Sequence, residues 1–270
     1  MTSPTTAAPA ARPGDGRGRR RRRAPGWVPN QHGAWAMLAT PLLVGILASQ
    51  PRWVHVPLTA FWFAGYFAFF AAGLWLKARR RKRYWPPVLA YGITSAALGG
   101  AVLVIRPELV RWAPLFLIPL GIGLYAAARR DDRSLISGLA TTLGSCLMTV
   151  VAYDAGGGTD WPRAWLLAAV LAAYFGGTVV YVKTMIRERD SAAHYWLSVG
   201  WHAFATVAMA WVSWPLVAVF AVLTTRAAVL PRLARPLTPK TVGLIEIAAT
   251  LAVAGCALAN GALLPAPHIR

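Results

Sequence analysis

Apolar residues fill nine runs of this chain, at about 33–50, 54–76, 85–105, 111–128, 134–152, 162–182, 194–212, 214–230 and 242–264. Each run is long enough to cross the hydrocarbon core of a bilayer as an α-helix. The gaps between the runs are charged or rich in Pro and Gly, as chain reversals at a membrane surface require. Only the stretch Trp211 to Pro215 separates the seventh run from the eighth, so these two form a tight helical hairpin or one long broken element. The pattern predicts an all-α fold, a polytopic membrane bundle of about nine transmembrane helices. Residues 29–270 form the membrane domain. Residues 1–28, rich in Ala, Pro, Gly, Thr and Arg, read as a disordered basic tail. That basic tail followed by an apolar run has the outline of a signal peptide. No A-x-A-like cleavage site follows it, and the first span reads as retained.

Composition agrees with this reading: 57% of residues are hydrophobic and only 14% are charged. A net charge of +19 taken alone would suggest nucleic acid. The positions of the charges suggest otherwise. Basic residues gather in the tail and in every second gap, at Lys77 to Arg83, Arg129 to Arg133, Lys183 to Arg189 and Arg226 to Lys240. Of the 28 Lys and Arg, only Arg52, Arg106, Arg111, Arg163 and Arg270 fall elsewhere. Short loops rich in Lys and Arg stay on the cytoplasmic side, so nine spans with a cytoplasmic N-terminus account for the asymmetry. The expected location is the inner (cytoplasmic) membrane of a bacterial cell. The expected partners are the bilayer and its anionic lipid headgroups, not nucleic acid. Trp and Tyr at the span ends (Trp53, Tyr84, Trp85, Trp112, Trp161, Trp196, Trp211 and Trp214) are placed as interfacial anchors.

Polar residues inside or beside the spans are the candidates for chemistry. Asn30 can cap the first helix, with Gln31 and His32 just below the interface and Gly33 permitting close helix approach. Lys183 and Arg187 are four residues apart and Thr184 lies three from Arg187, so a continuing helix would place two cations and a hydroxyl on one stripe. Such a stripe can clamp a phosphate, with Arg supplying a bidentate fork. It can equally be a solvated basic loop whose charges pair with Glu188 and Asp190. His194 opens the seventh span and His202 lies two turns deeper. Glu246 is the one carboxylate well inside a predicted span. Burial of its charge requires protonation or a cationic partner, for which His202, His32 and Lys183 are the candidates. Asp131 and Asp132, flanked by Arg129, Arg130 and Arg133, read as neutralised by their neighbours. Cys146 and Cys256 lie in apolar runs and read as small buried residues. No P-loop, dinucleotide fingerprint, nucleophile elbow or metal-ligand spacing is present, so no metal site is expected and no cofactor is indicated.

The stretch Val28-Pro29-Asn30-Gln31-His32-Gly33-Ala34-Trp35-Ala36-Met37, together with Tyr181-Val182-Lys183-Thr184-Met185-Ile186-Arg187-Glu188-Arg189, resembles the YwiC-like family of bacterial integral membrane proteins. The resemblance extends over nearly all of the chain from Pro29 onward. It implies a membrane location and no particular activity. Nine helices with polar sites in the loops after the second and sixth also resemble, in topology, the UbiA-type intramembrane prenyltransferases. Those enzymes hold magnesium on an isoprenoid diphosphate with aspartate-rich motifs. Here Lys77 to Arg83 contains no acid and the second loop offers only Glu188 and Asp190, which makes such a metal site doubtful.

Three functions fit these observations. The first is binding or processing of a lipid or isoprenoid phosphate at the cytoplasmic face, through Gln31, His32, Lys183, Thr184, Arg187 and His194. The second is small-solute or proton-coupled transport with His202 and Glu246 as the protonatable pair. The third is a membrane scaffold whose basic loops dock a partner or anionic lipid.

Overall fold

The computed structural model describes residues 26–29, 34–233 and 237–260. Among them are nine α-helices: α1 (Ala34–Ala48), α2 (His55–Lys77), α3 (Trp85–Ile105), α4 (Ala113–Ala128), α5 (Leu135–Ala155), α6 (Trp161–Ile186), α7 (Ala192–Met209), α8 (Trp214–Val229) and α9 (Pro239–Asn260). Short 3-10 helices at Lys82–Tyr84, Pro107–Trp112 and Leu230–Arg232 complete the described secondary structure, which contains no strand. Seven of the described helical stretches are long and apolar enough to cross a membrane. The exceptions are α1, an apolar helix of 15 residues, and α7, which carries His194, Ser198, His202 and Thr206. The protein is a polytopic membrane helix bundle. Gln31 and His32, with the tail before Gly26, lie outside the described residues.

Local chemistry sets the helix starts. Ser134, Asp160, Ser191 and Ser213 occupy the N-cap positions of α5, α6, α7 and α8, each accepting from the backbone N–H three residues on. Such side chains satisfy a donor that the first helical turn leaves free. Pro162 and Pro215 follow at the second helical position, where a missing N–H costs nothing. The doubtful division between the seventh and eighth runs is therefore a real turn: α7 stops at Met209, and the extended Ser213 restarts the chain.

α5 and α6 form the centre, each 61% buried along its span, whereas α3 is only 6% buried. One apolar core joins Val44, Tyr153, Leu171, Phe175, Met209, Phe220 and Val253 from α1 and α5 to α9. A second joins Leu42, Leu58, Val102, Met148 and Ala152 from α1, α2, α3 and α5. α1 lies close against α5 at Gly45, where a methyl group would stand 2.8 Å from the Ala152 Cβ. The outward faces are themselves apolar, with Leu43, Val104, Leu117, Ile118, Phe204, Val222 and Leu251 exposed, as lipid contact requires.

Polar contacts tie the loops into two opposite faces. On one, Lys77 at the end of α2 pairs with Asp132 at 2.7 Å, so this acid is matched across the bundle and not by its flanking arginines. Lys183 Nζ donates to the Arg133 carbonyl at 3.0 Å, and Arg189 donates to the Leu233 carbonyl at 3.1 Å. On the other, Asp154 at the end of α5 accepts from Arg111 and from the Trp112 indole, both at 2.7 Å. Arg106 reaches the Asp154 and Ala155 carbonyls there, and His55 Nε2 lies 2.9 Å from the Ala152 carbonyl. The basic gaps after α2, α4, α6 and α8 thus share one face of the bundle.

Candidate functional site

Four helices contribute polar side chains to one buried cluster near the basic face. On α6, Tyr174, Thr178 and Tyr181 recur at spacings of four and three and so share a helical stripe. Ser198 and His202 on α7, and Glu246 and Thr250 on α9, are four-residue pairs. Arg226 comes from the last turn of α8. By helical rise, Arg226 lies about 5 Å from the end of its helix, Glu246 about 10 Å into α9, and Tyr174 about 18 Å from the end of α6. The cluster therefore runs from near the basic face to about the middle of the bundle.

An ion pair stands at its centre. Arg226 Nη1 donates to Glu246 Oε1, with side chains 7% and 13% exposed. The second carboxylate oxygen accepts from Thr178 Oγ1 at 3.0 Å, and the Tyr174 hydroxyl lies 3.3 Å from it. Thr250 Oγ1 donates to the Glu246 carbonyl at 2.7 Å and stands 2.9 Å from Tyr174 Oη. Helix polarity supports the arrangement, since a cation is favoured in the last turn of α8. The guanidinium also lies 4.1 Å over the Tyr181 ring, a cation–π contact strengthened by exclusion of water. His202 meets the same ring edge-on at 6.3 Å between centroids, and its Nδ1 lies 2.7 Å from the Ser198 carbonyl.

Several buried polar atoms in this cluster have no hydrogen-bond partner among the described residues: Arg226 Nε and Nη2, Tyr181 Oη, Ser198 Oγ and His202 Nε2. Buried donors and acceptors are nearly always matched, so each such group in a native protein calls for an explanation. These unmatched atoms are grouped on three adjoining helices, α6, α7 and α8.

Of the residues singled out in the sequence, His202 and Glu246 both border the Tyr181–Arg226 stack. The expected partner of Glu246 was a histidine or Lys183; Arg226 holds that place. Thr184 is fully buried, and its hydroxyl faces the carbonyls of Val180 at 3.0 Å and His194 at 3.2 Å, linking α6 to α7. α6 ends at Ile186, leaving Lys183 on the Arg133 carbonyl and Arg187 exposed at the cap. His194 Nδ1 faces the Ser191 hydroxyl at 3.1 Å and Glu188 at 3.8 Å. Gln31 and His32 fall outside the described residues. Sequence reasoning missed Arg226 by assigning it to the basic loop. The available signal was that Arg226 lies within a predicted span, whereas Arg111 and Arg163 only open theirs. Among the described residues no group of three or more His, Cys, Asp or Glu could hold a metal ion.

The family described as YwiC-like protein matches residues 28–153 of the chain, α1 to α5, and stops short of the cluster on α6 to α9. The uncharacterized protein YwiC of Bacillus subtilis is 34% identical over 176 residues, covering 65% of this chain and 73% of that protein. An uncharacterized protein of Haemophilus influenzae is 28% identical over 230 residues, covering 83% of this chain and 93% of its own length. No solved structure matches the chain.

Proposed function

This chain belongs to the YwiC-like protein family, and from that footing we propose that it carries a small solute across the membrane, coupled to protons through Glu246. The observation that carries this reading is the Arg226–Glu246 pair, held inside the bundle with two of the three guanidinium nitrogens unmatched by the described protein. Ionisable groups at membrane depth are costly and mark substrate paths and proton relays. In the ionised state the pair joins α8 to α9. A proton on Glu246 removes its charge and frees Arg226 to bind solute; loss of that proton restores the pair and expels the solute. Thr178 and Tyr174 orient the carboxyl throughout. The test uses proteoliposomes containing a pH-sensitive dye, offered succinate, phosphate, alanine or glucose in turn. At least one probe is expected to drive proton movement in the native protein, and Glu246→Gln to abolish it. Proton-coupled movement that is unchanged in Glu246→Gln would remove the proposed role.

A second reading has its own support. A groove of about 380 Å³ with an apolar lining opens between α4, α5 and α6. Trp165, Ala169 and Ala172 line it from α6, and Lys183 falls on nearly the same helical stripe, eleven residues beyond Ala172. An amphiphile could place its chain in this groove and its phosphate among Lys183, Arg187 and His194, with the buried Thr184 only bracing the helix end. Native mass spectrometry with a long-chain alkyl phosphate checks it: Lys183→Ala should lose the adduct, and unaltered retention would rule this arrangement out.

A further inference from the structure

Resting on the carrier reading above, the geometry points to the chemical class of the solute: we infer that Arg226 is a bidentate receptor for a small oxyanion, a carboxylate or a phosphoryl group. A guanidinium has three edges, and they are not equivalent. Nη1, the nitrogen on the same side as the side-chain stem, is occupied by Glu246. Nε and Nη2, the two atoms without a partner among the described residues, together form the side-on fork, whose two N–H bonds are parallel. That fork matches the spacing of two oxygens on one central atom, as in a carboxylate or a phosphoryl group. The guanidinium carbon lies 4.1 Å over the Tyr181 ring, and this contact together with the Glu246 pair restrains the group before any ligand arrives. The hydroxyl of that same Tyr181 lacks a partner among the described residues, as does the Ser198 hydroxyl, one turn from His202 on the facing helix. A carboxylate or phosphoryl group bound to the fork has further lone pairs, and these hydroxyls are the donors at hand.

The occupied and open edges also explain why Glu246 is present. Without it, a buried guanidinium would have no counter-charge between solutes. With it, the arriving anion and Glu246 share one cation. Two anions on one cation are disfavoured, so uptake of a proton by Glu246 and binding of the oxyanion occur together.

Binding to the purified full chain in nanodiscs tests the fork without requiring transport. Acetate and inorganic phosphate are the soluble probes; phosphatidic acid built into the nanodisc supplies the same group on a lipid. Chloride at equal ionic strength is the anion with no pair of oxygens. The native protein should bind acetate or phosphate and should bind chloride at least about tenfold more weakly, the difference expected for one lost charge-assisted hydrogen bond. Arg226→Lys keeps the charge and removes the fork, so the preference over chloride should vanish. If Arg226→Lys does not accumulate, Tyr181→Phe leaves the ion pair intact and should weaken acetate or phosphate by a few-fold with chloride unaffected. Competition by phosphatidic acid identifies a lipid-borne oxyanion, and its absence a soluble one. Equal affinity for chloride, or an oxyanion preference that survives in Arg226→Lys, overturns the inference while the carrier reading stands. Oxyanion binding without proton-coupled movement of any probe has the opposite consequence.

Discussion

Arg226 and Glu246 each lose most of their hydration in the bundle, and their mutual contact, the hydroxyls of Tyr174 and Thr178 and the Tyr181 ring offset that loss. Removing one charge leaves the other buried without its counter-charge. Glu246→Leu or Arg226→Met alone should therefore lower stability by about 3–5 kcal/mol. The double variant Arg226→Met with Glu246→Leu places apolar groups against apolar groups and should recover most of that loss. Unfolding of the four proteins in one detergent checks this, and losses that simply add in the double variant would mean the two residues do not act as a pair. A double variant that is stable yet inactive would separate function from architecture. The members of this cluster were unequally legible in the sequence. His202 and Glu246 stood out because ionisable groups are rare inside apolar runs. Arg226 did not, because it lies one turn from a basic loop and only the fold shows that it turns inward. Tyr174, Thr178, Ser198 and Thr250 carry no signal in one dimension, since hydroxyls in membrane helices can bond to their own backbone.

The helices themselves could be read closely, because the requirements of a span and the chemistry of its ends act together. Apolar length sets the number of elements, and Ser134, Asp160, Ser191 and Ser213 set four of their starts. What sequence could not supply was which helices touch, as the pairing of Lys77 with Asp132 across two loops illustrates. The contact between α6 and α7 is the one on which the cluster depends. A methyl group at Gly177 would stand 2.9 Å from both His202 Nε2 and Trp201 Cδ1. Trp201 cannot easily yield, because its indole N–H donates to the Ala173 carbonyl at 2.8 Å. Gly177→Ala should thus force α6 and α7 apart, with a loss of about 1–3 kcal/mol and reduced binding of whatever the cluster holds. Gly200 on α7 has open space at its Cβ position, so Gly200→Ala serves as the control. Equal thermal stability of the two variants would show that the close approach at Gly177 is not required.

Across the whole molecule, the side-chain contacts and the charge distribution divide the loops in the same way. Lys77, Asp132, Arg133, Lys183, Arg189 and Leu233 are linked on one face, whereas Arg106, Arg111, Asp154, His55 and Ala152 are linked on the other. A further difference lies in the backbone. α2 and α4 end in left-handed positions occupied by Arg79 (φ 54°) and Arg130 (φ 60°), whereas α5 uses Gly157 (φ 78°) on the opposite face. Glycine adopts this conformation at little cost and arginine does not. Local preference therefore does not account for these arginines, but a need for positive charge on that face does. Retention of that charge in the cytoplasm would place the cluster of Arg226 and Glu246 in the cytoplasmic half of the bilayer. Single cysteines decide the orientation. Asp190 and Thr159 are exposed and lie on opposite faces, and neither contributes to the Lys and Arg bias. In a chain whose Cys146 and Cys256 are replaced by alanine, Asp190→Cys should resist a membrane-impermeant maleimide added outside intact cells and react once the cells are opened. Thr159→Cys should react from outside. Reversed labelling would invert the molecule, expose the cluster toward the exterior and reverse the direction in which a proton gradient could load it.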